Sequence, residues 1–209
     1  MTTTALFRPV GLFELALCWD LGMRAFPPRL PSQPIFYPVL AKEYAQTIAR
    51  DWNTHDKKSG FAGFVTRFAV STSYLSRFEP HTVGSSEHVE YWIPANDLTS
   101  FNSRIEGFIC VEEGFFGCGF KGRIPGKFGL RRKDAVTQFV TLAKTSDYSG
   151  MDFTCEVSTN RKAVFLNFLF WTQHDFTKLG IDSDGKSTLV NRIRQAWQSN
   201  QIEIPLPGP

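Results

Sequence analysis

Phe61 to Val70 reads FAGFVTRFAV, an apolar run rich in aromatic and β-branched residues whose period is two or less. Those features predict a strand with at least one buried face. The polar break NTHDKKSG precedes it, and STSYLSRF follows it as one predicted helical turn opened by a serine or threonine cap. Upstream of the break, AKEYAQTIARDWN places Tyr44, Ala45, Ile48, Ala49 and Trp52 on one face of a helix. Before that helix lies RAFPPRLPSQPIFYPVL, whose five prolines exclude helix and predict an extended loop ending in a short strand around IFYPV. At the start of the chain ALFR is a short strand candidate. Pro9 then opens a helix over GLFELALCWDLG, with Leu12, Leu15, Ala16 and Trp19 at helical spacing and Gly22 as its stop.

Downstream of the opening stretch, SEHVEYWIP reads as a second strand, ANDLTSFNSRI as a short helix capped near Asn96, and EGFICVEE as a third strand. Residues 1–113 thus have helices early and strands late. That order predicts an α+β fold with a mixed sheet and flanking helices rather than a doubly wound parallel sheet. Residues 114–130 hold six glycines interleaved with phenylalanines, an ordered connecting loop or irregular hairpin. Residues 131–209 are expected to form a smaller α+β unit, separate from the first or continuous with it. Its predicted elements are a helix over KDAVTQFVTLAKT, strands at DFTCEVS and KAVFLNFLFW, a final helix KSTLVNRIRQAWQSN, and the extended tail EIPLPGP.

The 209 residues carry 42% hydrophobic and 14% aromatic side chains, enough for a core without metal or disulfide staples. A formal charge of +3 is too mild to demand a polyanionic partner, so any such partner must be argued from a local patch. Cys18, Cys110, Cys118 and Cys155 form no C-x-x-C pair, and the four histidines are equally scattered, so no metal site and reduced thiols are expected. No segment approaches the roughly 20 apolar residues of a membrane span. The first residues lack the charged and apolar regions of a secretory signal, so a cytoplasmic location without membrane attachment is expected.

Gly180 to Ser187, GIDSDGKS, fits the phosphate-loop pattern G-x-x-x-x-G-K-[ST]. That chemistry needs a buried strand running directly into the loop. Here the polar TQHDFTKL intervenes after Trp171, and Asp182 and Asp184 would face phosphate oxygens. The segment reads better as a capped helix start, with Leu189, Val190, Ile193, Ala196 and Trp197 forming the buried face of the helix it opens.

In the first unit the polar residues placed to act together are Arg8 at the end of the first strand, Tyr37 in IFYPV, and His88 with Glu90 in EHVEYW. Strand alternation puts His88 and Glu90 on one face. A carboxylate there can hold a ribose hydroxyl and stabilise positive charge developing at a sugar carbon. An arginine on a neighbouring strand can bind a diphosphate with its planar fork. Each residue alone also fits a solvated strand face.

A strand-end arginine, a helix, an FY strand leading into an amphipathic helix, the FVTRFAV strand, and then a strand with x-x-E-aromatic form an order that resembles the ADP-ribosyltransferase-like superfamily of small bacterial toxins. The resemblance covers roughly residues 5–113. It implies an NAD-dependent ADP-ribosyltransferase or NAD glycohydrolase with Arg8 and Tyr37 binding NAD and Glu90 as the catalytic carboxylate. His88 takes the position two before that glutamate, and the acceptor is left open.

A second candidate surface is the run Lys121, Arg123, Lys127, Arg131, Arg132 and Lys133, interleaved with Phe120 and Phe128 and free of acidic residues. Cations that position phosphates and aromatics that stack on bases are the elements of a single-strand binder. An acidic protein would satisfy the same charges, and a solvated loop explains them too. Three readings therefore stand: an NAD-dependent transferase, a non-catalytic binder of nucleic acid or an acidic protein, and a structural protein that blocks a partner.

Overall fold

The computed structural model of the chain describes residues 2–84 and 88–208. It divides into two compact units, the first running to Gly119 and the second spanning Phe120–Gly208. Ser86 and Glu87, the start of the predicted second strand, lie outside the described residues.

The first unit runs β1 (Thr3–Gly11), α1 (Leu12–Asp20), β2 (Ile35–Phe36), α2 (Lys42–Asp51), β3 (Ala62–Ser71), α3 (Thr72–Leu75), β4 (Pro80–Thr82), β5 (Val89–Tyr91), β6 (Ile93–Pro94), α4 (Leu98–Asn102) and β7 (Ile105–Phe116). The opening stretch is β3, the centre of an antiparallel sheet ordered β1-β3-β7. Its register with β1 is unbroken from Thr3 opposite Ser71 to Gly11 opposite Gly63. With β2–β6 and β4–β5 as two small antiparallel pairs, the chain is mixed α+β.

β1 is longer than the predicted ALFR strand, and Pro9 lies inside it instead of opening α1. The backbone of Phe7 exchanges both of its hydrogen bonds with Val39, on the edge of β1 away from β3. Two residues on, Pro9 turns its nitrogen to that same outer edge, so its missing N–H costs the β1–β3 ladder nothing. Val39 also bridges to Glu90, which ties β5 to β1 through a one-residue intermediary.

α2 lies on one face of the sheet. Ala45 and Ala49 pack with Val39 and Val65, and Phe7, Tyr44 and Phe115 close around them. The approach is close enough that a Cβ on Gly63 would sit 2.0 Å from the Ala49 carbonyl oxygen. Trp52, expected on the buried face of this helix, is instead 69% exposed. On the opposite face Phe26 contacts Phe36 and Phe68, and Phe101 contacts Phe36 and Phe68, in an aromatic cluster.

In the second unit every regular element among the described residues is helical: α5 (Ala135–Tyr148), α6 (Gly150–Thr159), α7 (Arg161–Gln173) and α8 (Ser183–Ser199), with short 3-10 turns at Phe128–Leu130 and Thr177–Leu179. The expected α+β character of this unit is therefore corrected. KAVFLNFLFW is not a strand but α7, buried without a break from Ala163 to Trp171 among α5, α6 and α8. A helix enclosed on all sides shows no polar stripe, so its apolar run looks like a buried strand. DFTCEVS is likewise helical. Ser149 caps α6 by accepting from the Asp152 amide, and Phe153 and Val157, one turn apart, are its buried positions. The β-forming Thr, Cys and Val are overridden by that tertiary contact. α8 matches expectation residue for residue on its buried face.

Candidate functional site

The end of β1, the loop before β2, the residues after β2, α2 and β5 together line a cavity of about 620 Å³ in the first unit. Arg8, Tyr37 and Glu90 all line it, so three of the four residues singled out by sequence converge although 29 and 53 positions separate them along the chain. His88 does not join them. It precedes β5, its ring stacks on Tyr44 at 4.1 Å, and it borders a neighbouring concavity with Leu40, Glu43 and Thr47.

Part of the cavity wall is cationic. Arg8, only 7% exposed, donates through Nε and Nη2 to Glu14 Oε1 and through Nη1 to the Tyr37 carbonyl, with its guanidinium 4.5 Å from the centre of the Phe36 ring. Arg29 reaches the same Glu14 oxygen at 3.6 Å while its Nε donates to the Ile35 carbonyl. Two guanidiniums thus share one carboxylate. Burial first, and the Arg8 charge second, pull the pKa of Arg29 down, with Glu14 and Tyr37 opposing them. A surplus positive charge held this way is relieved by an anion.

The wall also carries the carboxylate of Glu90, 9% exposed, which accepts from Trp92 Nε1 at 2.8 Å. Trp92 is stacked on His81 and meets Tyr37 edge to face at 6.2 Å. Burial, followed by the Glu90 charge, raises the pKa of Tyr44, so its phenol stays protonated beside the carboxylate. Glu90 stands two strand spacings from Phe7 through Val39, about 10 Å at ordinary sheet spacing. The cavity wall therefore carries both signs of charge, the Arg8–Arg29 pair around Glu14 and the carboxylate of Glu90 beside aromatic rings.

Glu14 and Arg29 were not singled out by sequence. Glu14 lies six residues after Arg8, within reach of β1 once the chain turns directly into α1. Arg29 sits in the proline-rich loop, whose extended path gives no periodic signal.

The basic run lies in the second unit. Arg123 is fixed by Asn167, which accepts from its amide at 2.8 Å and donates to its carbonyl at 3.0 Å. Gln138 donates to the carbonyls of Arg123 and Lys133 and accepts from Asn167. Both amide side chains are fully buried. The backbone between is drawn in by the Ala135 amide donating to the Lys121 carbonyl and the Arg132 amide to that of Pro125. Lys121, Arg123, Lys127, Arg131 and Arg132 are exposed, and Lys133 is half-buried, donating to Thr141.

Gly180 to Ser187 follows a helix and a 3-10 turn, with no strand before it. The Asp182 carboxylate accepts from the Gly185 amide, so the first-turn donor a phosphate would use is already engaged by the cap. Among the described residues no group of three or more His, Cys, Asp or Glu is arranged to hold a metal ion, and no helix is long and apolar enough to cross a membrane. No family model, curated protein or solved structure matches the chain.

Proposed function

We propose that the cavity of the first unit binds NAD and that the protein is an NAD-dependent ADP-ribosyltransferase, or a glycohydrolase where water is the acceptor. The observation that carries this reading is that one cavity holds both a surplus of guanidinium charge and a buried carboxylate among aromatics, which suits a ligand with a diphosphate and a cationic ring.

NAD supplies an ADP-ribosyl group on a leaving group, nicotinamide, that departs neutral. Arg8 and Arg29 hold the diphosphate, with Glu14 keeping the two guanidiniums oriented in the absence of an anion. Tyr37 and Trp92 flank the cationic ring. Glu90, locked in place by Trp92, holds a ribose hydroxyl and meets the positive charge that grows at the sugar carbon. Trp52, an exposed residue of the cavity wall, is where a protein, nucleic-acid or small-molecule acceptor would meet the site.

The test is thermal stabilisation by NAD+ compared with NADH, which has the same diphosphate and lacks the ring charge. The expected result is a clear rise in Tm with NAD+ and a smaller one with NADH. Equal shifts, or none, contradict the assignment of Glu90 to the nicotinamide end.

A further inference from the structure

Independently of the cavity, we infer that the loop Lys121–Lys133 of the second unit is a preformed binding surface for single-stranded nucleic acid. Three observations carry it. Five of the six cations are exposed, and among the described residues none of those five side chains has an ion-pair partner. Two carboxylates lie against the loop: Asp134 accepts from the Thr137 amide and Glu156 from the Gly129 amide and the Asn160 side chain. Six cations against these two carboxylates leave the loop net positive.

The second observation is rigidity. Arg123 and Lys133 are anchored at their backbone by the buried pair Gln138 and Asn167, so the cations are presented on a fixed frame. A fixed frame loses less conformational entropy on binding than a free loop does.

The third is strain spent on an exposed aromatic. Phe128 has φ +52° and Arg132 has φ +60°, left-handed conformations that favour glycine. Phe128 is 67% exposed, and the 87% exposed Tyr148 lines the same shallow concavity. A folded chain gains nothing for its own core by holding a phenylalanine in a disfavoured backbone with its ring in water. A base stacking on that ring, with its phosphates on the flanking cations, accounts for both features. An acidic protein needs the charges but not the presented ring, which is why a nucleic-acid strand is the better fit. Asp152 and Glu156, the latter bonded to the Gly129 amide, line that concavity with Phe128 and repel phosphate from it, so the phosphates follow the exposed cations while a base meets the Phe128 ring.

The experiment is fluorescence polarisation of a labelled 20-nucleotide oligothymidylate titrated with the full chain over a range of salt. The variants are Phe128→Gly and the double replacement Lys127→Glu with Arg131→Glu. Glycine accepts φ +52° without strain, so Phe128→Gly keeps its thermal stability within a few degrees while losing the ring. The expected result is a Kd rising with salt at a log-log slope of about −0.7 in affinity per phosphate engaged, weakened about tenfold by each variant. Binding that neither variant changes, or that salt does not weaken, overturns the inference. So does displacement of the oligonucleotide by polyglutamate at equal charge concentration, which assigns the surface to an acidic protein.

Discussion

Trp92 Nε1 donates to Glu90 Oε1 at 2.8 Å, two positions along the same extended segment. Strand alternation puts both side chains on one face, and the indole aims the carboxylate into the cavity that Arg8 and Tyr37 also line. A charge-assisted bond of this kind is worth about 2 kcal/mol. Trp92→Phe keeps a ring beside Tyr37 and removes the donor. Nicotinamide release is expected to fall about tenfold in kcat and the melting temperature by about 5 °C. Steady-state kinetics and a melting curve check the two halves of this expectation separately.

Gly63 faces Gly11 across the β1–β3 ladder, where α2 presses its backbone on the sheet. Gly63→Ala places a methyl group 2.0 Å from the Ala49 carbonyl oxygen, a rigid backbone atom, so α2 must lift away. The expected loss is about 4 kcal/mol, or roughly 10 °C in Tm, measured by circular dichroism. Unchanged stability contradicts this packing of α2.

Asn167 is one of the most consequential residues of the second unit although it contacts no surface. Asn167→Ala leaves the Arg123 amide and the Gln138 oxygen without their partner in a buried site. A cost of about 3 kcal/mol is expected. Hydrogen exchange at the Arg123 amide is expected to accelerate more than at the slowest-exchanging amides of the unit, a local signature that core weakening does not produce on its own.

Lys42 on α2 reaches two consecutive carboxylates of β7, Glu112 at 2.9 Å and Glu113 at 2.7 Å. Consecutive strand residues normally point to opposite faces. Here Val111 pairs with Thr66 and Glu113 with Val65, so Glu112 is the extra residue of a bulge that turns both carboxylates to one lysine. Burial by itself raises the pKa of Glu113, but hydrogen bonds from Lys42 and Gln46 outweigh it and hold the carboxyl below its ordinary range. A depressed carboxylate stabilises the fold above its unfolded pKa and ceases to do so as pH falls through the folded one. The pKa of Lys42 is raised by its bonds to Glu113 and Glu112, so its contribution is complete at neutral pH and is lost only in strong base. In Lys42→Met, with that depression relieved, stability near pH 7 is expected to be lower and its fall toward pH 3 shallower than in the wild type. Urea midpoints between pH 7 and 3 measure it, and parallel curves contradict it.

Much of the first unit was legible because its elements are amphipathic. α2 and the third strand each bury one face and carry the matching period, α8 declares its buried residues for the same reason, and β3, covered on both faces, was legible from its aromatic and β-branched composition. α7 was not legible, since total burial erases the period that separates helix from strand. The grouping of Arg8, Tyr37 and Glu90 came from strand order, whereas Glu14 and Arg29 depend on how the proline-rich loop returns to β1, a tertiary fact with no local sign. His88 shows the limit of alternation: it lies just outside β5, and stacking on Tyr44 determines where its ring goes. Asn167, embedded in an aromatic run, gives no local sign of its partners Gln138 and Arg123, which lie 29 and 44 positions away.

The central claim is that Glu90 supports cleavage of the bond between nicotinamide and ribose. The most direct measurement is nicotinamide release from NAD by the purified full chain and by Glu90→Gln, which keeps the shape and a hydrogen-bond acceptor but not the charge. The account predicts release by the wild type, with a cell lysate supplying acceptors, and a loss of at least about a hundredfold in the variant with its melting temperature preserved. Release by both proteins at the same rate would remove Glu90 from the chemistry, and release by neither, without stabilisation by NAD, would contradict the assignment of the cavity itself.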